Sequence, residues 1–189
     1  MDKKKSLIAL SAVALGSVIY NYLKPVKSNV EVVRNFDIKR YLGNWYEIAR
    51  LDFKHEKNLR NVSAEYQLND NGTVKVINQG IDQNTGEVKQ SIGKAKFVGS
   101  ETEGALKVSF FGPFYSGYNI VQLNPNYEDA LIFGDNLDYI WILSRTKELS
   151  EDRKKVYLDY ATACGYDVSK LTWTDQGDIL ETTGQIPVE

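Results

Sequence analysis

The chain has 189 residues, a formal net charge of −2 and a sequence pI of about 5.6. It therefore has room for one domain with a hydrophobic core, and it lacks the basic excess of a nucleic-acid-binding protein. Cys164 is the only cysteine and His55 the only histidine, which excludes an internal disulfide, a cysteine metal cluster and a multi-histidine metal site. We expect no metal and no cofactor. The 12 Tyr, 7 Phe and 3 Trp residues suit either a core or an apolar pocket, and composition does not separate the two.

The first 28 residues have the pattern of a targeting segment. Lys3, Lys4 and Lys5 precede an apolar run that starts at Leu7, which is the order found in secretory signals. If the run continues to Leu23, it reaches about 17 residues, the lower limit of a membrane span. An uncleaved membrane anchor, a cleaved signal peptide and a buried core helix all fit. The first two are favoured, and both predict an exported domain in the cell envelope, facing the periplasm, either membrane-anchored or cleaved and soluble.

The region from Trp45 onward has a hydrophobic period close to two, which is typical of half-buried strands. Tight-turn signals at 70–72 and 84–86 separate successive runs, and Gly93 predicts a bulge or bend inside one of them. Short connections between the runs predict antiparallel neighbours. Besides the strand at Trp45, the predicted strands are 62–68, 73–80, 88–98, 105–111, 118–123, 130–134 and 138–145.

The pattern changes to a helical one near the C-terminal end. Ser150 is a good N-cap, and Gly165 is a natural stop. Between them, the residues that recur at helical spacing are Val156, Tyr160, Ala161 and Cys164. A short strand with Trp173 follows at 170–174. Eight strands can close into a barrel that just holds side chains or one small ligand, whereas a two-sheet sandwich shares the strand count. The helix followed by one more strand favours the barrel.

Several stretches in order along the chain resemble the motifs of the lipocalin family. They are "GNWYEIAR" with Gly43, Trp45 and Tyr46, then "SFFGPFYSGYN", and then "DYIWILSR", which ends on Arg145. The resemblance runs from about Val32 to Trp173 and is nearest to bacterial outer-membrane lipocalins related to apolipoprotein D.

The resemblance implies an all-β fold: an eight-stranded antiparallel up-and-down β-barrel, the lipocalin or calycin fold, with one C-terminal α-helix and an N-terminal apolar targeting or anchor helix. The corresponding division is a signal or anchor segment and linker at 1–28, the barrel with its helix at 29–175, and a tail at 176–189. The segment before Gly43 resembles the short helix that plugs the barrel floor. Arg145 is expected over the indole of Trp45, as a structural pair without a catalytic role. The lipoprotein-signal cysteine of the bacterial relatives is missing here, which implies a different anchor.

Strand alternation nominates nine residues as pointing into the barrel. A packed core and a ligand cavity both fit this set, and the resemblance favours the cavity. The implied activity is non-covalent binding, storage or transport of a small amphiphilic lipid such as a fatty acid or lysophospholipid. The nine candidate ligand-binding residues are Val62, Ala64, Tyr66, Val76, Leu106, Val108, Phe110, Tyr118 and Trp141.

Two further hypotheses stay open at this stage. One is an envelope interaction or stress-repair module with a vestigial pocket. The other is a lipocalin-type enzyme. It is disfavoured because Cys164, the candidate reactive residue, is predicted on the helix, outside the barrel. Glu47 is expected to point inward beside Trp45, and Glu47 and Arg50 mark where the faces of that strand alternate. The expected partners are a small lipid ligand and, through the N-terminal segment, a membrane. We expect no nucleic acid partner. The oligomeric state is open, a homodimer included.

Overall fold

The computed structural model describes residues 30–51 and 58–177. The predicted N-terminal signal or anchor and most of the predicted tail lie outside these residues. Within the described part, no helix is both long and apolar enough to cross a membrane.

Nine strands and two α-helices make up the described chain. Helix α1 (Ile38–Tyr41) precedes the first strand, and helix α2 (Glu151–Ala163) and a short 3₁₀ helix (Val168–Lys170) precede the last. The strands are β1 (Gly43–Leu51), β2 (Leu59–Leu68), β3 (Val74–Asp82), β4 (Val88–Phe97), β5 (Ala105–Phe111), β6 (Phe114–Leu123), β7 (Asp129–Phe133), β8 (Ile140–Ser144) and β9 (Leu171–Trp173).

Strands β1 to β8 form a closed antiparallel barrel. Each of them pairs with the next in sequence, and β1 pairs with both β2 and β8, which closes the sheet. This closure confirms the predicted barrel and excludes the two-sheet sandwich. Strand β9 pairs with Ala49–Leu51 of β1, beyond the stretch of β1 that pairs with β2. Because consecutive strands are antiparallel, the connections β1–β2, β3–β4, β5–β6 and β7–β8 share one end of the barrel. Helix α1, which precedes β1, lies at the other end.

A bulge in β1 changes which residues face the interior. The register with β8 shifts between Glu47 and Ala49, so the strand gains one residue there. Glu47 and Arg50 therefore come to the same side and are both buried, with Arg50 Nη1 2.5 Å from Glu47 Oε1. The interpretation that these two charges mark alternating faces was wrong, because a bulge breaks the period of two.

Helix α2 begins as predicted, with Arg153 N–H donating to the Ser150 side chain at 3.4 Å. Its buried face agrees with the prediction at Ala161, which is fully buried, and at Tyr160 and Cys164, which pack against the core. The prediction was wrong for Val156, which is 46% exposed, whereas Tyr157 is fully buried. The Tyr157 hydroxyl donates to the carboxylate of Asp129 at the start of β7, and this contact fixes the rotation of the helix against the barrel.

Gly93 has a different role from the predicted bulge. The ladder between β3 and β4 passes through Val76 and Gly93 without a shift in register. A Cβ atom at Gly93 would lie 2.8 Å from a ring carbon of Phe110, so glycine permits the close approach of that side chain. Strand β4 pairs with β5 only over its last four residues, Lys94–Phe97.

Candidate functional site

The closed end of the barrel is sealed by an aromatic and cationic cluster around Trp45. Trp45 is fully buried, and its indole N–H donates to the carbonyl oxygen of Tyr41 at 2.8 Å. The guanidinium carbon of Arg145 lies 4.0 Å from the centroid of the Trp45 ring, in cation–π geometry. Arg145 also donates to the carbonyls of Asn44 and Leu42, at 2.7 and 2.9 Å. Arg145 therefore lies over the indole, as the resemblance implies, and it also ties the start of β1 to the end of α1.

The positive φ of Gly43 explains the first residue of the motif. Its φ is +88°, which L side chains rarely adopt, and the chain turns there from α1 into β1. Tyr46, the last residue of that motif, lies in the ladder opposite both Ser63 of β2 and Ser144 of β8. It is half-buried, and its position next to the closure of the barrel is a structural one.

Three tyrosine hydroxyls meet above the floor. The hydroxyl of Tyr118 lies 2.7 Å from that of Tyr41 and 2.8 Å from that of Tyr66. Burial raises the pKa of Tyr41 and that of Tyr118 well above the usual range, and the neighbouring phenol of Tyr66 raises both further. The cluster is thus a neutral hydrogen-bonded group at the base of the interior.

An interior cavity of about 410 Å³ lies above this cluster. All nine residues nominated from strand alternation line it, which places them as predicted. Val62, Ala64, Tyr66, Val76 and Leu106 are buried, while Val108, Phe110, Tyr118 and Trp141 are partly exposed. Cavities of roughly 300–1,000 Å³ with mostly apolar walls are typical of small-molecule sites. That these residues bind a ligand stays a prediction.

The cavity wall also has polar groups that the sequence analysis did not nominate. Ser63, Ser91 and Ser116 line it, together with Asn78 in the middle of β3. The Asn78 side-chain oxygen is buried without a hydrogen-bond partner, so the cavity wall contains an unsatisfied acceptor. The signal for Asn78 was present, because it continues the period of two from Val74 and Val76.

The buried pair of Glu47 and Arg50 lies beside the cavity, and Glu47 contributes to its lining. The Thr174 hydroxyl donates to Glu47 Oε1 at 2.6 Å, and the Gln176 amide donates to the backbone oxygens of Glu47 and Val62 at 2.8 and 2.7 Å. These hydrogen bonds therefore fasten the first residues after β9 to β1 and β2. A charge inside the wall is stable only with such partners.

The open end of the cavity is flanked by exposed aromatic side chains. Phe111 and Phe114, on either side of the β5–β6 turn, line the cavity and are 78% and 58% exposed. Lys89 of β4 also lines this end, and its ammonium group lies 2.5 Å from a carboxylate oxygen of Glu87.

Cys164 lies outside the barrel, as predicted. It is the C-cap of α2 and packs, half-buried, against the core between that helix and the barrel wall. Among the described residues, no group of three His, Cys, Asp or Glu side chains is arranged to hold a metal ion.

This geometry, a closed antiparallel barrel sealed at one end around an apolar cavity, defines a small-molecule-binding barrel. The family model for a lipocalin-like domain matches residues 36–176. The outer membrane lipoprotein Blc of Escherichia coli K12 is 53% identical over 147 residues, which cover 78% of this chain and 83% of that protein. Apolipoprotein D of the mouse is 33% identical over 155 residues, covering 78% of this chain and 80% of that protein.

The solved structure of insecticyanin from the tobacco hornworm Manduca sexta supports the same fold. It superposes with a TM-score of 0.63 at 23% identity, covering 80% of this chain and 86% of that one. The chain belongs to the lipocalin family. Members of this family bind and transport small hydrophobic molecules.

Proposed function

We propose that this lipocalin binds one amphiphilic lipid, a fatty acid or a lysophospholipid, without covalent chemistry. The observation that carries the proposal is the apolar cavity of about 410 Å³, sealed below by Trp45 and Arg145 and open at the β5–β6 end. An acyl chain would lie between the phenol cluster and Phe110, with the head group at the open end.

The energetics favour an acyl chain over a compact polar ligand. Each buried methylene contributes about 0.8 kcal/mol, so ten of them contribute about 8 kcal/mol before the entropy of association is subtracted. The oxygen of Asn78 would accept a hydrogen bond from a ligand hydroxyl, such as that of a lysophospholipid glycerol. The position of Cys164 outside the cavity supports binding rather than catalysis.

We also propose that the protein acts in the cell envelope. The support is similarity to proteins named outer membrane lipoprotein, in Escherichia coli and in Vibrio cholerae, the latter 39% identical over 163 residues. The apolar N-terminal run suits export, either as an anchor or as a signal.

Titration of the delipidated full chain tests the binding proposal. We expect saturable binding of a fluorescent fatty acid, which unlabelled lysophospholipid displaces. Val108→Trp fills the cavity and should weaken binding at least tenfold. Val156→Trp, the matched control on the exposed face of α2, should leave the affinity unchanged. Equal affinities for the two variants, or no binding to any amphiphile, would refute the proposal.

A further inference from the structure

Four lysines share the outer face of three adjacent strands. Lys75 of β3 lies directly opposite Lys94 of β4, and Lys96 of β4 lies directly opposite Lys107 of β5. Directly opposite residues of an antiparallel pair point to the same side of the sheet, and like charges in such positions are destabilising. We call these four residues the lysine face.

The described chain does not neutralise the lysine face. None of its four ammonium groups has a carboxylate within ion-pair distance, whereas Lys154 and Lys155 of α2 are each paired, at 2.7 and 2.6 Å. Lys96 and Lys107 instead lie 5.7 and 5.1 Å from the centroid of the Tyr115 ring. Among the described residues, Asp70 is the one carboxylate that lines the outer groove beside these lysines, so the four lysines leave a net positive surface that an external anion can complement.

The lysine face adjoins a seam in the barrel wall. Residues Val88–Gly93 of β4 pair with β3 but not with β5, because the β4–β5 ladder starts only at Lys94. Lys89 and Ser91 on one side of this seam and Phe111 on the other all line the cavity. Before Lys94 the wall therefore has no ladder of hydrogen bonds between β4 and β5, and β5 itself ends at Phe111.

Apolar and polar groups along the seam complete the surface. Val88 and Ile92, on the outer face of β4, are 68% and 55% exposed. Opposite Lys94 lies Ser109, which is 8% exposed and whose buried hydroxyl has no hydrogen-bond partner. It lines the same outer groove as Lys75 and Lys94. Exposed apolar side chains therefore lie beside the lysine face on the same outer surface of β4.

We propose that the lysine face and the apolar lip of the seam dock on an anionic phospholipid bilayer, so that the seam opens the cavity toward the membrane. Lysines would contact lipid phosphates, while Val88, Ile92 and Phe111 would reach the acyl boundary. A soluble acidic protein complements the charges, but it gives no reason for apolar side chains beside an opening into the cavity. The docking stands independently of the cavity ligand, whereas passage of a lipid through the seam rests on the proposed function.

Amide hydrogen exchange of the full chain on vesicles tests the docking. On vesicles of phosphatidylglycerol, exchange at residues 88–94 and 111–114 should slow, and on phosphatidylcholine vesicles it should not. In Lys94→Gln/Lys107→Gln, the anionic lipid concentration for half-maximal protection should rise about 30-fold, since each lysine near such a surface contributes about a factor of five. Lys39→Gln/Lys155→Gln, with the same change in charge elsewhere on the surface, should match the wild type. Every variant keeps the N-terminal segment, so its membrane affinity cancels in the comparison.

Three results would overturn the proposal. The first is protection that is equal in the two double variants, or absent on anionic vesicles. The second is the same protection from inorganic phosphate alone, which would indicate a free-anion site. The third is protection by poly-aspartate but not by vesicles, which would indicate an acidic protein partner. Binding of a fluorescent fatty acid without vesicles is measured on the wild type and on the same variants. If the wild type does not bind the fatty acid, that result counts against the proposed function and not against the docking.

Discussion

The closed and open ends of this barrel bury their aromatic side chains to opposite degrees. At the closed end Trp45, Tyr41 and Phe36 are 0%, 1% and 4% exposed, whereas at the open end Phe111 and Phe114 are 78% and 58% exposed. The same kind of side chain therefore stabilises the fold at one end and remains available for contacts at the other. The difference indicates that the aromatic side chains of the closed end stabilise the barrel, whereas those of the open end contribute little to its core.

The largest expected effect comes from removing the closed end's central side chain. Trp45→Ala leaves a cavity where a fully buried indole lay, and it should lower the free energy of unfolding by about 3–5 kcal/mol. Trp173→Ala, at a residue that is 46% exposed, serves as the control and should cost less than about 1 kcal/mol. Urea denaturation measures both. Similar losses for the two variants would contradict the assignment of Trp45 to the sealed floor.

Substitution of Arg145 should have the second-largest effect on the free energy of unfolding. Arg145→Ala removes the cation–π contact and the donors to Asn44 and Leu42, and it should destabilise the protein by about 2–3 kcal/mol. Arg145→Lys keeps the charge but not the planar fork of donors, so it should recover less than half of that loss. Full recovery by lysine, in the same denaturation assay, would show that charge alone matters there.

The phenol cluster of Tyr41, Tyr66 and Tyr118 should make the free energy of unfolding depend on pH under alkaline conditions. Because the folded protein holds the protons of Tyr41 and Tyr118 more tightly than the unfolded chain does, their contribution is constant at neutral pH and declines as pH rises above about 10. Tyr118→Phe should cost about 1 kcal/mol at pH 8, since two hydrogen bonds are lost. The gap between wild type and variant should narrow between pH 10 and 11. A gap that widens would contradict the raised pKa values.

The smallest expected effect on stability is at the open end. Phe111→Ser should change the free energy of unfolding by less than about 0.5 kcal/mol, because the ring is mostly in solvent. Phe36→Ser, the matched change at the closed end, should cost at least about 3 kcal/mol. Thermal unfolding of the pair compares the two ends directly, and equal shifts would remove the distinction between them.

Local sequence patterns predicted most of the fold. Alternation in β2, β3 and β5 placed Val62, Val76 and Leu106 on the cavity wall, and the Ser150 cap marked the start of α2. The motif residues Trp45 and Arg145 predicted the closed end through family resemblance rather than through physics. These features depend on residues close in sequence or on a motif of known geometry.

What the sequence could not predict depends on register and on distant partners. The bulge that brings Glu47 and Arg50 together arises from pairing between β1 and β8, far apart in the chain. The rotation of α2 follows from the contact between Tyr157 and Asp129, so the helix buries Tyr157 where spacing alone favoured Val156. The absence of β4–β5 pairing before Lys94 is likewise visible in the strand register, and no sequence pattern indicates it.

The proposed acyl chain has a defined orientation in the barrel, with its tail at the closed end and its head group at the open end. In Trp141→Phe/Trp173→Phe, Trp45 is the only remaining indole and reports from the floor. Its fluorescence is measured with fatty acids that carry a nitroxide either near the carboxylate or near the methyl end. We expect stronger quenching by the label near the methyl end. Equal quenching, or stronger quenching by the label near the carboxylate, would contradict it.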